Sequence, residues 1–467
     1  MANKKSSFSK LSEDQPNLHI LVLDSVSLSQ FRRHMPKTKA MLREKFQTHT
    51  LNGLMKVGDN SMPNLLPVLA GKRIHDQAPD LKSDFPEEQK RKQINMDDQP
   101  WLWKIFNERG CVTFYNDDVM SYGRGVFHYP FDTVSGFSRP PTHHYYRPFW
   151  VDVRKNPHPY SSRLCYGNEP YHKIQLDMLD RFLNKYKGYC QFSFTFIMIA
   201  HDLPEDLERM DDDLVQFLDR NFDQLKNSGL VIMGDHGHRV SAIKFSYIGK
   251  LEERLPLFTI SLPPMFRLKF PGKIDQLHHN SHRLSSQFDI HHTLLDFISG
   301  FSNRTIGRGL NLFSPIPLSR TCYEAGIPEN FCTCLEDEGT FRFTETDFIN
   351  RCLLAIIEKA NLQNRKNDCT KFTSANLLRS TKRQVNNMVL QALRHQNPDD
   401  LALLSHKARA SSVHIELTVK LAPGNFKVAA ILQYYETLDH LNIIGPLRLL
   451  SGYNSLCWNK TMPFCIC

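Results

Sequence analysis

The chain has 467 residues, of which 41% are hydrophobic and 23% are charged, and its formal net charge is +9. This composition excludes a disordered or fibrous chain and predicts a globular protein, and the length predicts two domains. Every apolar run is shorter than the roughly 18 residues that a membrane helix needs, so we expect no transmembrane segment in this chain. Since Lys and Arg are mostly scattered, we also expect no nucleic-acid partner.

Strand and helix patterns alternate after a polar leader of residues 1–16. This alternation predicts an α/β fold over residues 17–317, with a mainly parallel sheet sandwiched by helices. The predicted strands are Leu18–Leu23, Leu51–Val57, Cys111–Tyr115, Phe192–Ala200, Leu230–Met233 and Leu257–Leu262. The predicted helices are Pro36–Phe46, Pro63–Ala70 with Gly71 closing it, Trp101–Glu108, Gln175–Tyr186, Asp206–Phe222 and Ser286–Ile298, where Ser286 and Asp289 have capping-box spacing.

The pattern changes over residues 318–467, which we expect to form a smaller, cysteine-rich α+β domain. Helices are predicted at Phe348–Lys359 and Gln384–Arg394. Alternating apolar residues predict a β-hairpin of Ser412–Leu421 and Phe426–Tyr434 around the turn Pro423-Gly424-Asn425. The basic stretch from Lys371 to Arg383 is predicted to be a solvated helix face, with a polyanion-binding patch as the alternative.

Cysteine usage indicates the compartment. Eight of the 11 cysteines lie from Cys322 onward, with Cys-x-Cys pairs at Cys332/Cys334 and Cys465/Cys467. Such clustering predicts at least two disulfides there and an extracellular or secretory-lumen location, with a zinc site as the alternative. The sequons at Asn303 and Asn459 agree with a glycoprotein, although no signal peptide is visible.

Two apolar strands end in potential metal ligands. Leu230–Met233 runs into Gly-Asp-His-Gly, which presents Asp235 and His236, and Leu18–Leu23 is followed by Asp24. Ligands in open α/β sheets bind beyond the carboxyl ends of the strands. Carboxylate and imidazole groups suit a divalent cation such as zinc, and Gly234 and Gly237 are expected to free the backbone so that both side chains face one ion.

A third segment, Val57–Gly71, places a serine between a polar loop and a helix. Ser61 lies where free helical N–H groups and positive potential favour an anion such as a phosphoryl group. A metal ion at its oxygen would make Ser61 a usable nucleophile. The alternative is that Ser61 is only an N-cap.

Together these residues resemble the metal and nucleophile set of the alkaline phosphatase superfamily, which includes sulfatases, phosphodiesterases and phosphoethanolamine transferases. The segments LVLDSVSLSQFRRHMPKT, GDNSMPNLLPVLAG, MGDHGHR, EERLPLFTISLP, FDIHHTLLDF and RTCYEAGIPENFCTC are similar to one uncharacterised animal branch, usually labelled a domain of unknown function. The resemblance implies a metal-dependent phosphoester hydrolase or transferase. Asp24, Asp235 and His236 would hold one or two divalent ions, zinc foremost, with Ser61 as both ligand and nucleophile.

The resemblance also suggests roles for residues around this set. His201 and Asp202 correspond to second-metal or phosphoryl contacts, and His282 is a further candidate metal ligand. His238 and Asn60 are expected to line the substrate pocket. For the histidines, including His291 and His292, the alternative is a structural role.

The implied reaction is attack by Ser61 on phosphorus, followed by transfer of the phosphoryl group to water or an alcohol. The substrate would be a phosphorylated small molecule, lipid or glycan. Diesters are slightly favoured by the family resemblance alone, since no basic monoester clamp is identifiable from the sequence. A sulfatase is disfavoured because Leu65 stands where formylglycine formation needs arginine. A catalytically silent extracellular binding protein of the same fold is the other alternative.

Overall fold

The structure is a computed structural model that describes residues 8–12, 16–76, 81–119, 125–127, 134–239, 247–299, 308–340, 346–363, 370–385, 412–435 and 439–451. The chain divides into two compact units. The first comprises residues 1–74 and 84–327, and the second residues 75–83 and 328–467. The first unit therefore includes the whole predicted range 17–317 apart from residues 75–83.

The first unit alternates strands and helices. Its strands are β1 (Leu18–Leu23), β2 (His49–Thr50), β3 (Leu54–Met55), β4 (Ile94–Asn95), β5 (Val112–Asp117), β6 (Val134–Gly136), β7 (His144–Tyr145), β8 (Cys165–Tyr166), β9 (Glu169–Pro170), β10 (Gln191–Ile197), β11 (Gly229–Gly234), β12 (Phe258–Ser261) and β13 (Ser285–Ser286). Its helices are α1 (Leu28–His34), α2 (Pro36–Glu44), α3 (Ser61–Ala70), α4 (Glu87–Arg91), α5 (Leu102–Glu108), α6 (Arg147–Lys155), α7 (Tyr171–Lys185), α8 (Glu208–Arg220), α9 (Phe222–Leu225), α10 (Tyr247–Arg254), α11 (Pro264–Lys269), α12 (Pro271–Asn280) and α13 (Gln287–Ser299).

The main sheet of this unit has the strand order β2-β12-β11-β1-β10-β5-β7. Strands β11, β1, β10, β5 and β7 run parallel, whereas β12 and β2 are antiparallel additions at one edge. This arrangement confirms the predicted mainly parallel sheet. The carboxyl ends of β11, β1, β10 and β5 consequently lie side by side.

Alternate side chains of the strands enter two apolar cores, one on each face of the sheet. On β1, Ile20 and Val22 belong to a core that also contains residues of α3, α5 and α13. Leu21 and Leu23 belong to a second core, which includes residues of α1, α2, α7 and α8. The predicted sandwich of helices around the sheet is therefore confirmed, and it fixes the strand ends on which the candidate site is built.

Several predicted elements differ in their bounds. The predicted strand Leu51–Val57 is wrong, because Gly53 packs against the backbone of Arg283 and the chain forms the separate short strands β2 and β3 instead. Strand β10 ends at Ile197, before Ala200. The capping box at α13 is half formed: Ser286 N donates to Asp289 Oδ2 over 2.8 Å, but Ser286 Oγ is buried without a partner.

The second unit contains a five-stranded antiparallel sheet in its described residues. The strands, in sheet order, are β14 (Leu335–Thr340), β15 (Ser374–Val385), β16 (Ser412–Ala422), β17 (Phe426–Tyr435) and β18 (His440–Ser451), and the helix α14 spans Thr346–Gln363. The predicted hairpin is confirmed as β16 and β17, and Ile415, Leu417 and Val419 are buried on one face.

The basic stretch Lys371–Arg383 was expected on a helix, and this expectation is wrong. Most of the stretch lies in β15, which is hydrogen-bonded to β14 and β16 and buries Thr381 and Arg383. Gln384 and Val385 also belong to this strand, while residues 386–394 lie outside the described residues. Pairing between two neighbouring strands overrides the local helical pattern.

A disulfide that the sequence pattern does not single out joins two strands of the main sheet. Cys111 and Cys190 precede β5 and β10, and both are fully buried. Cys322 and Cys332 are also disulfide-bonded, whereas Cys352 is a free thiol. Both sequons and the four remaining C-terminal cysteines lie outside the described residues. Among those residues, no helix combines the length and apolar character needed to cross a bilayer.

We expect the Cys111–Cys190 bridge to contribute to stability but not to the chemistry at the opposite ends of the strands. The double substitution Cys111→Ala/Cys190→Ala should lower the free energy of unfolding by about 2–5 kcal/mol, because it releases a loop with a sequence separation of 79 residues. Urea unfolding measures the change, and Cys165→Ala, at a free thiol, is the matched control. An unfolding free energy equal to wild type in the double variant would contradict this role.

Candidate metal centre

The register of the sheet brings two carboxylates together. Leu23 on β1 pairs with Gly234 on β11, so Asp24 and Asp235 leave the sheet side by side. Ser25 connects them: its backbone N–H donates to Asp235 Oδ1 over 2.9 Å, and its hydroxyl donates to Asp24 Oδ1 over 2.9 Å. Ser25 has a φ of 62°, a left-handed conformation that is uncommon outside glycine. The turn after β1 is therefore held in place by the carboxylate of Asp235.

The glycines that flank Asp235 and His236 serve close packing. A Cβ atom on Gly234 would lie 2.0 Å from the carbonyl oxygen of Val26, and one on Gly237 would lie 1.9 Å from that of Glu252. Neither glycine is among the positive-φ residues. The expected reason for these glycines, freedom of φ, is thus replaced by a steric one: neighbouring backbone leaves no room for a side chain.

Asp24, Asp235 and His236 form a compact buried cluster. One potential ligand atom from each residue lies within 4.8 Å of those of the other two. Asp235 Oδ1 accepts from the backbone N–H groups of Ser25 and His236, but Asp235 Oδ2 is buried without a hydrogen-bond partner. Leaving a buried carboxylate oxygen unpaired costs free energy, so this atom fits a cation bound at the centre of the cluster.

His236 directs its unprotonated ring nitrogen, Nε2, towards the cluster. Its Nδ1 lies 3.0 Å from the carbonyl oxygen of Gly237, which can only accept, so Nδ1 carries the proton in the neutral ring. Nε2 is then unprotonated and lies 3.4 Å from Asp235 Oδ2. Burial is the largest cause that lowers the pKa of His236, to about 4, so the ring is neutral at neutral pH. A neutral histidine oriented by a backbone carbonyl is the usual form of a metal-binding histidine.

The carboxylates also need a cation. Burial raises the pKa of Asp24 well above its ordinary value, and the adjacent Asp235 raises it further. Two carboxylates in one buried site repel each other unless a proton or a cation lies between them. The donor set of two carboxylates and one neutral imidazole therefore fits a divalent cation.

The loop before α3 is held in an unusual conformation. Asn60, the N-cap of α3, has φ 72° and ψ 168°, a region almost restricted to glycine that costs other residues about 1–3 kcal/mol. The amide of Asn64 supports the loop by donating to the carbonyl oxygens of Gly58 and Asn60 and accepting from Val57 N and Gly58 N. The Asn60 side chain does not cap the helix but accepts a hydrogen bond from Arg239.

Ser61 is the first residue of α3 and is half-buried. The alternative that Ser61 is an N-cap is wrong, because Asn60 has that position. Arg239, three residues after His236, contacts the residue next to Ser61, and its charge acts on Asp24 and His236. The loop of Ser61 and the loop of the cluster are thereby connected, although the role of Ser61 stays a prediction.

The other candidate residues lie in neighbouring loops, outside the three-residue cluster of described ligand atoms. His201 Nδ1 lies 2.8 Å from Asp202 Oδ1 after β10, and both side chains are largely exposed. His238 Nε2 lies 3.2 Å from the Asp202 carbonyl oxygen, and its Nδ1 is buried without a partner. His282 is exposed between α12 and β13. The roles assigned to these residues stay predictions.

His291 and His292 lie on α13 and contact backbone carbonyl oxygens. His291 Nδ1 lies 2.8 Å from the carbonyl oxygen of Val68, and its ring packs against Gly71, the C-cap of α3. His292 Nε2 lies 3.1 Å from the carbonyl oxygen of Arg308. These contacts support the structural alternative for both histidines.

Sequence reasoning missed four residues around the cluster. Arg239 and Ser25 are described above, and Lys56 is a buried lysine whose Nζ lies 2.8 Å from Asp59 and 2.9 Å from Glu253. Asp118, the second residue of an Asp-Asp pair at the end of β5, accepts from Met198 N, and burial raises its pKa well above the ordinary value. The rule that located Asp24, an acid directly after an apolar strand, could also have located Asp118.

Several solved structures are similar to this chain. The zinc complex of the periplasmic domain of EcEptC from Escherichia coli is 14% identical, with a TM-score of 0.43, over 63% of this chain and 85% of that chain. A protein in the alkaline phosphatase superfamily from Vibrio parahaemolyticus is 11% identical, with a TM-score of 0.43, over 94% and 84% of the two chains. The phosphonate monoester hydrolase SpPMH from Silicibacter pomeroyi is 10% identical, with a TM-score of 0.39, over 79% and 87%. At these values the similarities carry no conclusion about chemistry.

No curated protein matches the sequence. A family model does: it covers residues 1–378, the larger part of the 467 residues, and its description is a protein of unknown function, DUF229. The resemblance read from the sequence motifs is thereby confirmed, and the chain belongs to the DUF229 family.

Proposed function

We propose that this chain is a metal-dependent hydrolase or transferase of phosphate esters, with Ser61 as the nucleophile. One observation carries the proposal: Asp235 Oδ2 is buried and unpaired in a cluster with Asp24 and His236, at the carboxyl edge of a parallel sheet. That edge is where α/β folds bind ligands. Asp24, Asp235 and His236 would hold a divalent cation, with zinc as the preferred ion because the donor set contains an imidazole and the site is compact.

When bound, the ion would act as a Lewis acid towards the phosphoryl group. The protein supplies the positioning. The Asn60 side chain leaves the N-terminus of α3 uncapped, and Pro63 has no N–H, so the free donors at this terminus are the N–H groups of Ser61 and Met62. These donors and the helix dipole favour an anionic group beside Ser61 Oγ.

The reaction would proceed in two displacements. Ser61 Oγ loses its proton and forms a bond to phosphorus while the bond to the leaving oxygen breaks. Water or an acceptor alcohol then displaces Ser61 and carries away the phosphoryl group. His201 and His238, at the neighbouring strand ends, are candidates for proton transfer or substrate contact, and Asp202 and His282 for a second ion. The substrate would be a phosphorylated small molecule, lipid or glycan.

The sulfatase alternative has little support. Formylglycine formation needs an arginine at the position of Leu65, and Leu65 is fully buried in the core beneath α3. A catalytically silent binding protein of the same fold would be distinguished by metal content without turnover of any phosphate or sulfate ester.

A buried disulfide between Cys111 and Cys190 favours an extracellular or secretory-lumen location.

The metal assignment predicts a selective loss of metal. Asp235→Asn preserves the size of the side chain but removes the charge, so metal affinity should fall by about 100-fold or more, with an unchanged far-UV spectrum. Asp212→Asn, at an exposed carboxylate paired with Lys37, is the control and should retain metal. Mass spectrometry of metal content and calorimetric titration provide the measurement. Full occupancy in Asp235→Asn would contradict the assignment.

The nucleophile assignment predicts loss of turnover without loss of metal. Ser61→Ala should lower kcat for an aryl phosphate ester by about 10³-fold or more, because no hydroxyl remains to attack phosphorus. Ser61→Thr keeps the hydroxyl and should retain much of the activity, which makes it the matched variant. Steady-state kinetics with metal-loaded protein test both. Wild-type turnover in Ser61→Ala would remove Ser61 as nucleophile.

A further inference from the structure

Arg239 differs in its partner from Arg147 and Arg320, two buried arginines of the first unit. Arg147 pairs with Asp117 over 2.9 Å, and Arg320 pairs with Asp289 over 2.7 Å. Arg239 is half-buried, and within the described residues its guanidinium donates to the amide oxygen of Asn60 and forms no ion pair. One of its five N–H donors is thus used on a neutral group, and no described carboxylate forms an ion pair with it.

The guanidinium of Arg239 links the loop of Ser61 to the loop that carries Asp235 and His236. Arg239 lies three residues after His236, and its hydrogen bond reaches the residue that precedes Ser61. The same charge acts on Asp24 and on His236, so the guanidinium lies in the electrostatic environment of the cluster. The guanidinium therefore contacts the loop of Ser61 and acts electrostatically on the cluster.

The balance of charges in the site indicates which kind of group Arg239 would bind. The two negative charges of Asp24 and Asp235 would balance the charge of a divalent ion, and the neutral His236 adds no charge. Lys56 is matched by its ion pairs with Asp59 and Glu253. Of these two described cations, Arg239 is therefore the one left to attract an anionic substrate. A phosphate monoester carries a second negative charge above its pKa of about 6, whereas a diester carries one.

We propose that Arg239 determines specificity by binding the non-bridging oxygens of a phosphate monoester at Ser61, so that the substrate class is a monoester. This inference rests on the proposed function. Guanidinium groups suit such oxygens because their planar donors bind two of them at once. It departs from the expected preference for diesters, which rested on the family resemblance because no basic clamp was identifiable from the sequence. Arg239 becomes a candidate clamp only when the structure places it beside Asn60.

The test compares two esters with the same leaving group, 4-nitrophenyl phosphate and bis(4-nitrophenyl) phosphate, on the metal-loaded full chain. Arg239→Ala should lower kcat/KM for the monoester by about 100-fold and for the diester by less than about tenfold, with metal content unchanged. Arg239→Lys should recover part of the monoester activity, since it keeps the charge but not the planar donors. Arg32→Ala is the matched control, because Arg32 is an exposed arginine that also donates to an asparagine amide, that of Asn52.

Binding of inorganic phosphate gives a readout that needs no turnover. Calorimetric titration of metal-loaded protein should show phosphate affinity at least about tenfold weaker in Arg239→Ala than in wild type and Arg32→Ala. Equal losses for both esters, unchanged phosphate binding, or loss of metal in Arg239→Ala would each overturn the inference. If wild type hydrolyses neither ester, the proposed function fails, and the phosphate titration alone decides whether Arg239 binds the anion.

Discussion

The candidate site depends on the pairing of β1 with β11. Because Leu23 and Gly234 are partners in this parallel pair, Asp24 and Asp235 emerge together at the edge of the sheet. The backbone N–H of Ser25 then binds Asp235, so the turn after one strand is fixed by the carboxylate after the other. A shift of one residue in the register would separate the two carboxylates and would exchange the β1 side chains that pack in the two cores. The two cores that stabilise the fold therefore also fix the spacing of the carboxylates.

The charges around Asp24 and Asp235 explain which groups this site can bind. Buried carboxylates that repel each other, with one oxygen left unpaired, are stable together only with a proton or a cation between them, and the neutral His236 completes a donor set for a cation. Arg239 then supplies positive charge beside Ser61, while Lys56 is occupied by acidic partners. Under the proposed function, Asp24, Asp235 and His236 would attract a cation, and Arg239 would provide the attraction for an anion that a neutralised ion would lack.

The sequence predicted the parts of the site that depend on local pattern. Apolar runs ending in an acid located Asp24 and Asp235, and the Gly-Asp-His-Gly segment supplied His236, because strand ends of a parallel sheet meet at one edge. Long-range contacts were not predictable in this way. The pairing of Arg239 with Asn60, the disulfide between Cys111 and Cys190, and the inclusion of Lys371–Arg383 in β15 each join segments far apart in the chain, and local periodicity contains no information about such partners.

Diffraction from crystals grown with zinc, recorded at the zinc absorption edge, shows directly whether a cation binds between β1 and β11. We expect an anomalous peak bonded to carboxylate oxygens of Asp24 and Asp235 and to Nε2 of His236, at about 2.0–2.2 Å from each ligand atom. A fully loaded crystal whose zinc lies elsewhere, with none of these three residues as a ligand, would contradict it.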